Sequence, residues 1–322
     1  MCAQKCESNE RRYVLKRKRV LVTGGAGFIG SHLVDRLVEE GCGVVVLDNL
    51  SSGSLKNIRD HVDSGKVRFI EGDVRGSEVV EEAVKGVEHV CHLAAVVSVP
   101  YSMREPLLTH SVNATGTLNL LVSSLKHEVE KFVYVSTCAV YGEPEYLPVD
   151  EVHPVNPISP YAASKLAAEH YCKAFQKAYG LKTVILRPFN VYGPRQNDGV
   201  VAQFLQQVKK GGLPIIYGNG RQTRDFVYVR DAVDAIVLAL KHDVAVGKIF
   251  NIGTGEATTI NELAQLLLRI LGLELKPIRE EQRMGDVRES CADIRRAEKE
   301  LGYKPRFSLE KALKDFIDYE AK

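Results

Sequence analysis

Two rhythms of apolar residues alternate along the chain. Short apolar runs at 19–23, 43–48, 66–71, 88–93, 131–136 and 182–187 read as strands buried on both faces. Between them, 30–40, 77–85, 104–126 and 158–179 space their apolar residues three and four apart, as helices do. Leu33, Val34, Leu37 and Val38 set the first such stripe. Strand and helix in regular alternation predict an α/β fold with a doubly wound parallel sheet covered on both faces. Right-handed crossovers then place the loops that follow the strands along one rim, where such sheets bind ligands. Asp48, Asp73, Leu93-Ala94-Ala95 and Ser136-Thr137 all fall at strand ends on that rim.

From Pro188 the rhythm changes. A Gly/Pro-rich loop at 190–199 leads to a helix near 201–210, and a turn-rich stretch follows at 211–221. An apolar run at 226–229, a helix at 231–241, a strand at 248–252 and a helix at 260–271 come next, while 276–286 reads as irregular and charged. Residues 18–189 are therefore expected to form the main domain and 190–322 a smaller lobe closing over its rim. Strand 248–252 is expected to return to the main sheet, and 1–17 to be a flexible tail.

The stretch Thr23-Gly24-Gly25-Ala26-Gly27-Phe28-Ile29-Gly30 joins the first strand to the first helix. In that setting one glycine makes the tight turn, one lets backbone approach a phosphate and one permits close helix–strand packing. The helix N-terminus aims its free N–H groups at the anion. This predicts a diphosphate cradle that includes Gly24, Gly27 and Gly30. Asp48, eighteen residues past Gly30 at the end of the next apolar run, can accept hydrogen bonds from an adenosine ribose. Its charge would repel a 2′-phosphate, so NAD is expected in preference to NADP.

Composition mainly excludes. The chain has 322 residues, 45% of them apolar and 26% charged, as in ordinary globular proteins. A net charge of +2 argues against nucleic acid as the main partner, and the basic cluster Arg11, Arg12, Lys16, Arg17, Lys18 and Arg19 reads as a solvated extension. No apolar run is long enough to span a bilayer and no signal-peptide pattern opens the chain. Seven cysteines at scattered spacings, Cys2 and Cys6 among them, suit reduced thiols in a cytoplasmic protein and present no metal pattern.

Tyr161-Ala-Ala-Ser-Lys165 opens a helix behind Pro160, and a spacing of four puts phenol and ammonium on one face. A free phenol titrates near pH 10, too high for a base at neutrality. A neighbouring lysine and a positive nicotinamide ring both favour phenolate, so Tyr161 is the candidate base. Lys165 can also hold the nicotinamide ribose hydroxyls. Ser136-Thr137-Cys138-Ala139 follows a strand, which sets the Thr137 hydroxyl on the rim of Tyr161, able to donate to a sugar oxygen. Cys138 reads as a small packing residue.

On these residues the chain resembles the extended short-chain dehydrogenase/reductase family of nucleotide-sugar-modifying enzymes, from Arg19 to about Lys314. Within the family it is most similar to the UDP-glucose/UDP-galactose 4-epimerases. The resemblance implies a Rossmann-type domain with a C-terminal substrate lobe. It implies NAD lined by Phe28, Ile29, Asp48, Asn49, Asp73, Val74, Leu93, Ala94, Ala95, Asn113 and Phe189, and a catalytic group of Thr137, Tyr161 and Lys165. For a UDP-sugar it implies Asn190 at the diphosphate, Tyr217 on uracil, Arg224 and Arg283 on phosphates and Asp286 on the ribose. Ser290 falls where residue size limits the sugar's C2 substituent. A homodimer through 104–126 and 158–179 is also implied. Dehydratases of the family carry Asp-Glu where this chain has Cys138-Ala139, so elimination lacks its acid and base and C4 epimerisation is favoured. A nucleotide-sugar dehydratase or reductase is the alternative. Asn190-Val191-Tyr192-Gly193-Pro194 departs from the commoner epimerase loop and resembles the dehydratases and the N-acetylhexosamine epimerases, and Ser98-Val99-Pro100 resembles the latter, which leaves the substrate open.

Overall fold

The computed structural model describes residues 15–274, 276–281 and 287–321. Strands β1 (Arg19–Thr23), β2 (Gly43–Asp48), β3 (Val67–Glu71), β4 (His89–His92), β5 (Lys131–Val135) and β6 (Thr183–Pro188) come first. Four short strands follow, β7 (Asn190–Tyr192), β8 (Ile215–Tyr217), β9 (Thr223–Arg224) and β10 (Phe226–Tyr228), then β11 (Ile249–Ile252), β12 (Thr258–Thr259) and β13 (Ile278–Glu280). The helices are α1 (Phe28–Glu39), α2 (Arg59–Asp63), α3 (Ser77–Val84), α4 (Val99–Arg104), α5 (Pro106–His110), α6 (Gly116–Lys126) and α7 (Pro160–Tyr179). Further along lie α8 (Val200–Lys209), α9 (Val229–Lys241), α10 (Ile260–Ile270), α11 (Arg295–Leu301) and α12 (Leu309–Glu320).

A parallel seven-stranded sheet with spatial order β3-β2-β1-β4-β5-β6-β11 organises the molecule. Strand 248–252 does return to it, as β11 beside β6 with Phe250 opposite Leu186. Side chains alternate between two cores, as a period of two requires. Val20, Val22, Val44, Val46, Val133 and Leu186 face α1 and α9 on one side. Leu21, Val45, Leu47, Val90, Phe132 and Ile185 face α3, α6 and α7 on the other. The order reverses direction at β1, so the crevice between the carboxyl ends of β1 and β4 is the switch point where ligands of such sheets sit.

Three expectations need correction. The helix read over 104–126 is broken: α4 begins at Val99, capped by Ser98 Oγ accepting from Tyr101 N–H, and stops at Glu105 because Pro106 follows. α5 then passes through a π-helical turn, Ser111–Thr115, into α6. The stretch 276–286 is not wholly irregular. Ile278–Glu280 pairs in parallel with Ile215–Tyr217 inside the expected turn-rich segment, and a partner some sixty residues away leaves no local pattern. Finally, residues 15–17 of the expected tail pack down. Leu15 is buried in the core and Arg17 N–H donates to the Gly41 carbonyl. Cys2, Cys6, Arg11 and Arg12 lie outside the described residues.

Candidate functional site

The turn from β1 into α1 is built for close approach. Gly24 has φ +69°, and a Cβ there would stand 2.8 Å from Ala94 N across the switch point. A Cβ on Gly30 would stand 2.0 Å from the Gly24 carbonyl oxygen. Gly27 caps α1 without any side-chain hydrogen bond, so the first-turn N–H groups around Phe28, Ile29 and Gly30 have no capping partner. At the end of β2, Asp48 is buried and its carboxylate accepts from Ala26 N–H (2.9 Å) and Leu50 N–H (2.8 Å). The acid thus holds the glycine turn and stands beside it. A side-chain-free cradle, an open helix N-terminus and an adjacent carboxylate fit the diphosphate and ribose of a dinucleotide.

Across the crevice, Thr23 Oγ1 accepts from Leu93 N–H and Ala94 N–H and lies 2.7 Å from His92 Nδ1, which fixes the Leu93–Ala95 strand end. Asn113, on the π-helical turn, accepts from Val96 N–H (2.8 Å) and donates to the Val96 carbonyl (3.0 Å) and Ser164 Oγ (2.9 Å). Its side chain braces the 93–98 loop against α7. Asn49 donates to Asp73 (2.9 Å), and Arg75 grips the same carboxylate, holding its pKa down at about 2. Val74 is buried under Gly116. Phe189 is buried at the end of β6, its N–H on the Ile252 carbonyl.

α7 starts at Ser159, whose hydroxyl accepts from Ala162 N–H, with Pro160 at the first position. That places Tyr161 in the first turn, over the end of β5, where Thr137 acts on its phenol. Burial raises the Tyr161 pKa to about 12, and Thr137 opposes the rise. One turn on, Lys165 is buried, its Nζ donating to the Val135 carbonyl (2.7 Å) and lying 4.3 Å from the centre of the Tyr134 ring. Burial brings its pKa down to about 7, against the pull of Glu169. Cys138 is half-buried and packed against the core, its thiol pushed up to about 12 by burial and so protonated at neutral pH.

The later part of the chain approaches the same point. Asn190 N–H donates to the Asp225 carbonyl (2.9 Å), aligning β7 with β10. Arg224, on β9, acts electrostatically on Cys138 beside Thr137. Thr223 N–H donates to the Arg288 carbonyl and Thr223 Oγ1 accepts from Ser290 N–H (3.3 Å), so the buried Ser290 lies against β9. Tyr217, on β8, has its carbonyl held by Gln222 Nε2 (2.8 Å). Arg283 and Asp286 lie outside the described residues. Asp225 is the carboxylate acting on Cys138, but its oxygens are committed to Thr254, Gly255 and Ala292. Among the described residues no cluster of His, Cys, Asp and Glu could hold a metal, and no helix is long and apolar enough to cross a membrane. The five described cysteines are free thiols.

Sequence reasoning missed one group. Glu169 is fully buried, accepting from Ser136 Oγ (2.5 Å) and forming a two-point ion pair with Arg187 of β6 (2.9 and 2.6 Å). Its position continues the spacing of four from Tyr161 and Lys165, which was the available signal.

Comparison with known proteins agrees with this geometry. Residues 20–253 match the model of the NAD dependent epimerase/dehydratase family. A UDP-glucose 4-epimerase of Mycolicibacterium smegmatis is 39% identical over 307 residues, covering 94% of this chain and 98% of the relative. The crystal structure of a UDP-glucose 4-epimerase with UDP-glucose from Thermotoga maritima superposes with a TM-score of 0.90 at 42% identity, covering 94% of this chain and 98% of the other. A UDP-N-acetylglucosamine 4-epimerase from Methanobrevibacter ruminantium, solved with UDP-N-acetylmuramic acid, gives 0.90 at 35% identity, covering 95% and 99%.

Proposed function

Because the chain belongs to the NAD dependent epimerase/dehydratase family, we propose that it interconverts UDP-glucose and UDP-galactose by reversible oxidation at C4, with NAD as its cofactor. NAD supplies an acceptor and donor for the C4 hydride. The chain's own residues do the rest. Tyr161 takes the proton of the C4 hydroxyl and later returns it to the other face, while Thr137 donates to the sugar oxygen and then to the phenolate. The 4-keto sugar turns over between the two events, which requires a nucleotide held tightly and a hexose held loosely. Arg224 and, by resemblance, Arg283 suit the diphosphate, and Tyr217 suits the base. Gly24, Gly27 and Gly30 form the cradle for NAD, with Asp48 at its ribose.

One observation carries the choice of reaction: among the described residues no carboxylate is seen acting on Tyr161, and the one acting on Cys138 at the end of β5, Asp225, is engaged. The neighbours acting on the phenol are Thr137 and Cys138, and Asp225 has its oxygens engaged by backbone and Thr254. Loss of water or carbon dioxide needs a further acid or base at that place, and proton and hydride exchange at C4 does not. The small, buried Ser290 supports room for an N-acetyl group at C2, and we extend the proposal to some activity on UDP-N-acetylglucosamine. Exposed Met103 (62%) and Leu107 (86%) on α4 and α5 support a homodimer through this helical face. Product NMR on a panel of UDP- and dTDP-sugars tests the reaction directly. Tyr161→Phe should lower kcat by about 10²–10⁴ while keeping NAD. Activity within about tenfold of the parent would remove Tyr161 as the base.

A further inference from the structure

Behind the reacting end of β5 lies a buried charge pair that no step above uses. α7 grips β5 at two successive turns: Lys165 Nζ on the Val135 carbonyl (2.7 Å) and Glu169 on the Ser136 hydroxyl (2.5 Å). Thr137 is the next residue. Glu169 is held from the other side by the Arg187 fork, and the Arg187 guanidinium lies 4.7 Å from the centre of the Tyr141 ring. Tyr141 Oη in turn donates to Asn251 Oδ1 (2.7 Å), which ties the assembly to β11. A buried pair of this kind is a weak stabiliser, since desolvation offsets much of the attraction, and it calls for another reason to be there.

We infer that Glu169 is a positioning residue of the reaction centre: paired with Arg187, it fixes the Ser136–Thr137 strand end and sets a negative charge one helical turn from the Lys165 ammonium. The inference deepens the proposed C4 chemistry and rests on it. The groups seen to act on Lys165 are Glu169 and Cys172 on its own helix, Tyr134 on β5 and His92 on β4, and Tyr161 precedes it by one turn. His92 is fully buried between Thr23 and Thr117 and its pKa lies well below the usual value, so it brings no charge. Cys172 is buried and its thiol is pushed up. Burial likewise raises Tyr161 and Tyr134. Glu169 is then the charged group that favours a protonated Lys165.

Glu169→Gln keeps the shape and removes the charge. With NAD-loaded enzyme, its kcat–pH profile should lose its alkaline side about one pH unit earlier than the parent's, with KM for UDP-glucose unchanged within about twofold. A readout independent of turnover is the NMR titration of the Lys165 ammonium in lysine-labelled protein, assigned with Lys165→Arg. Its midpoint should fall by the same amount in Glu169→Gln. Ser136→Ala, which keeps the charge, should lower kcat several-fold and leave both midpoints in place. A Lys165 midpoint and alkaline limb that coincide with the parent's, or a loss of kcat uniform across pH, would overturn the inference. Should Glu169→Gln not fold with Arg187 left unpaired, the double variant Glu169→Gln/Arg187→Met removes the lone cation and the same two readouts decide. Absence of any UDP-sugar turnover in the parent would instead refute the C4 reading, and the Lys165 titration would still judge Glu169.

Discussion

Gly30→Ala tests whether the close approach of α1 to the β1 turn is what makes the cradle. The added Cβ would meet the Gly24 carbonyl oxygen at 2.0 Å, the Gly24 carbonyl carbon at 2.8 Å and the Gly25 Cα at 2.9 Å. All three are backbone atoms, so no side chain can swing aside. Reaching even the 3.0 Å limit of real Cβ contacts requires a retreat of about 1 Å. Gly24 is held at φ +69° by the turn, and its carbonyl accepts from Gly27 N–H (3.1 Å). The start of α1 is therefore the part that yields, carrying its free N–H groups away from the phosphate position. Overpacking of this size costs about 1–3 kcal/mol. Expressed in affinity that is about 5- to 140-fold, at about 1.4 kcal/mol per tenfold. The assay is calorimetric titration of NAD into cofactor-stripped protein, beside thermal unfolding of the same samples. Gly65→Ala is the control: it shares a positive φ of +71° but its Cβ meets nothing within 4 Å, so only stability should fall. NAD affinity of Gly30→Ala within about threefold of the parent would refute the assignment of the cradle to this approach.

Three further outcomes follow from the same geometry. Lys165 titrates at about 7 when folded and near 10.4 when unfolded; between these values the unfolded chain carries a proton that the folded chain does not. The stability of cofactor-free protein relative to its Lys165→Met variant should therefore rise with pH through that window and be lowest below it. A stability difference that stays flat from pH 6 to 10 in thermal unfolding would contradict the burial of this amine. Ser290→Tyr should cut the ratio of N-acetylhexosamine to hexose turnover by about tenfold or more, and an unchanged ratio would end the gate reading. Leu107→Asp should convert a dimer to monomer in light scattering after size exclusion, whereas a parent that is already monomeric removes the dimer proposal.

The main sheet was legible because its inner strands are buried on both faces and bounded by turns, so local pattern and tertiary role coincide. β1 and its glycine turn are the clearest case, since the same residues fix strand, turn and helix start. The 99–126 segment was legible only in part. Pro106 breaks it, and the π-helical turn that carries Asn113 depends on the 93–98 loop packing beneath it, a contact no spacing announces. β8 and β13 were hidden for a related reason: each is three residues long and exists only as the other's partner.

Within the site, readability tracked whether a residue's chemistry is local. Tyr161 and Lys165 announce themselves by one helical turn, and Thr137 by its place after a strand. Glu169 obeys the same spacing, yet a glutamate on a helix face ordinarily means solvent, and only the fold shows that Arg187, eighteen residues on and in another strand, takes it inside. The polarity of α7 thus reverses the usual reading. Its charged stripe points inward, and Tyr161, Lys165 and Glu169 run from the reacting oxygen to the buried guanidinium as one line of groups. Lys165 and Glu169 hydrogen-bond to the end of β5 at Val135 and Ser136, and Thr137 acts on the Tyr161 phenol. A helix that binds one strand end by two polar side chains at successive turns resists sliding along it. Under the proposed C4 chemistry, that resistance is what the phenol requires to meet the same carbinol from both faces of a sugar that turns over.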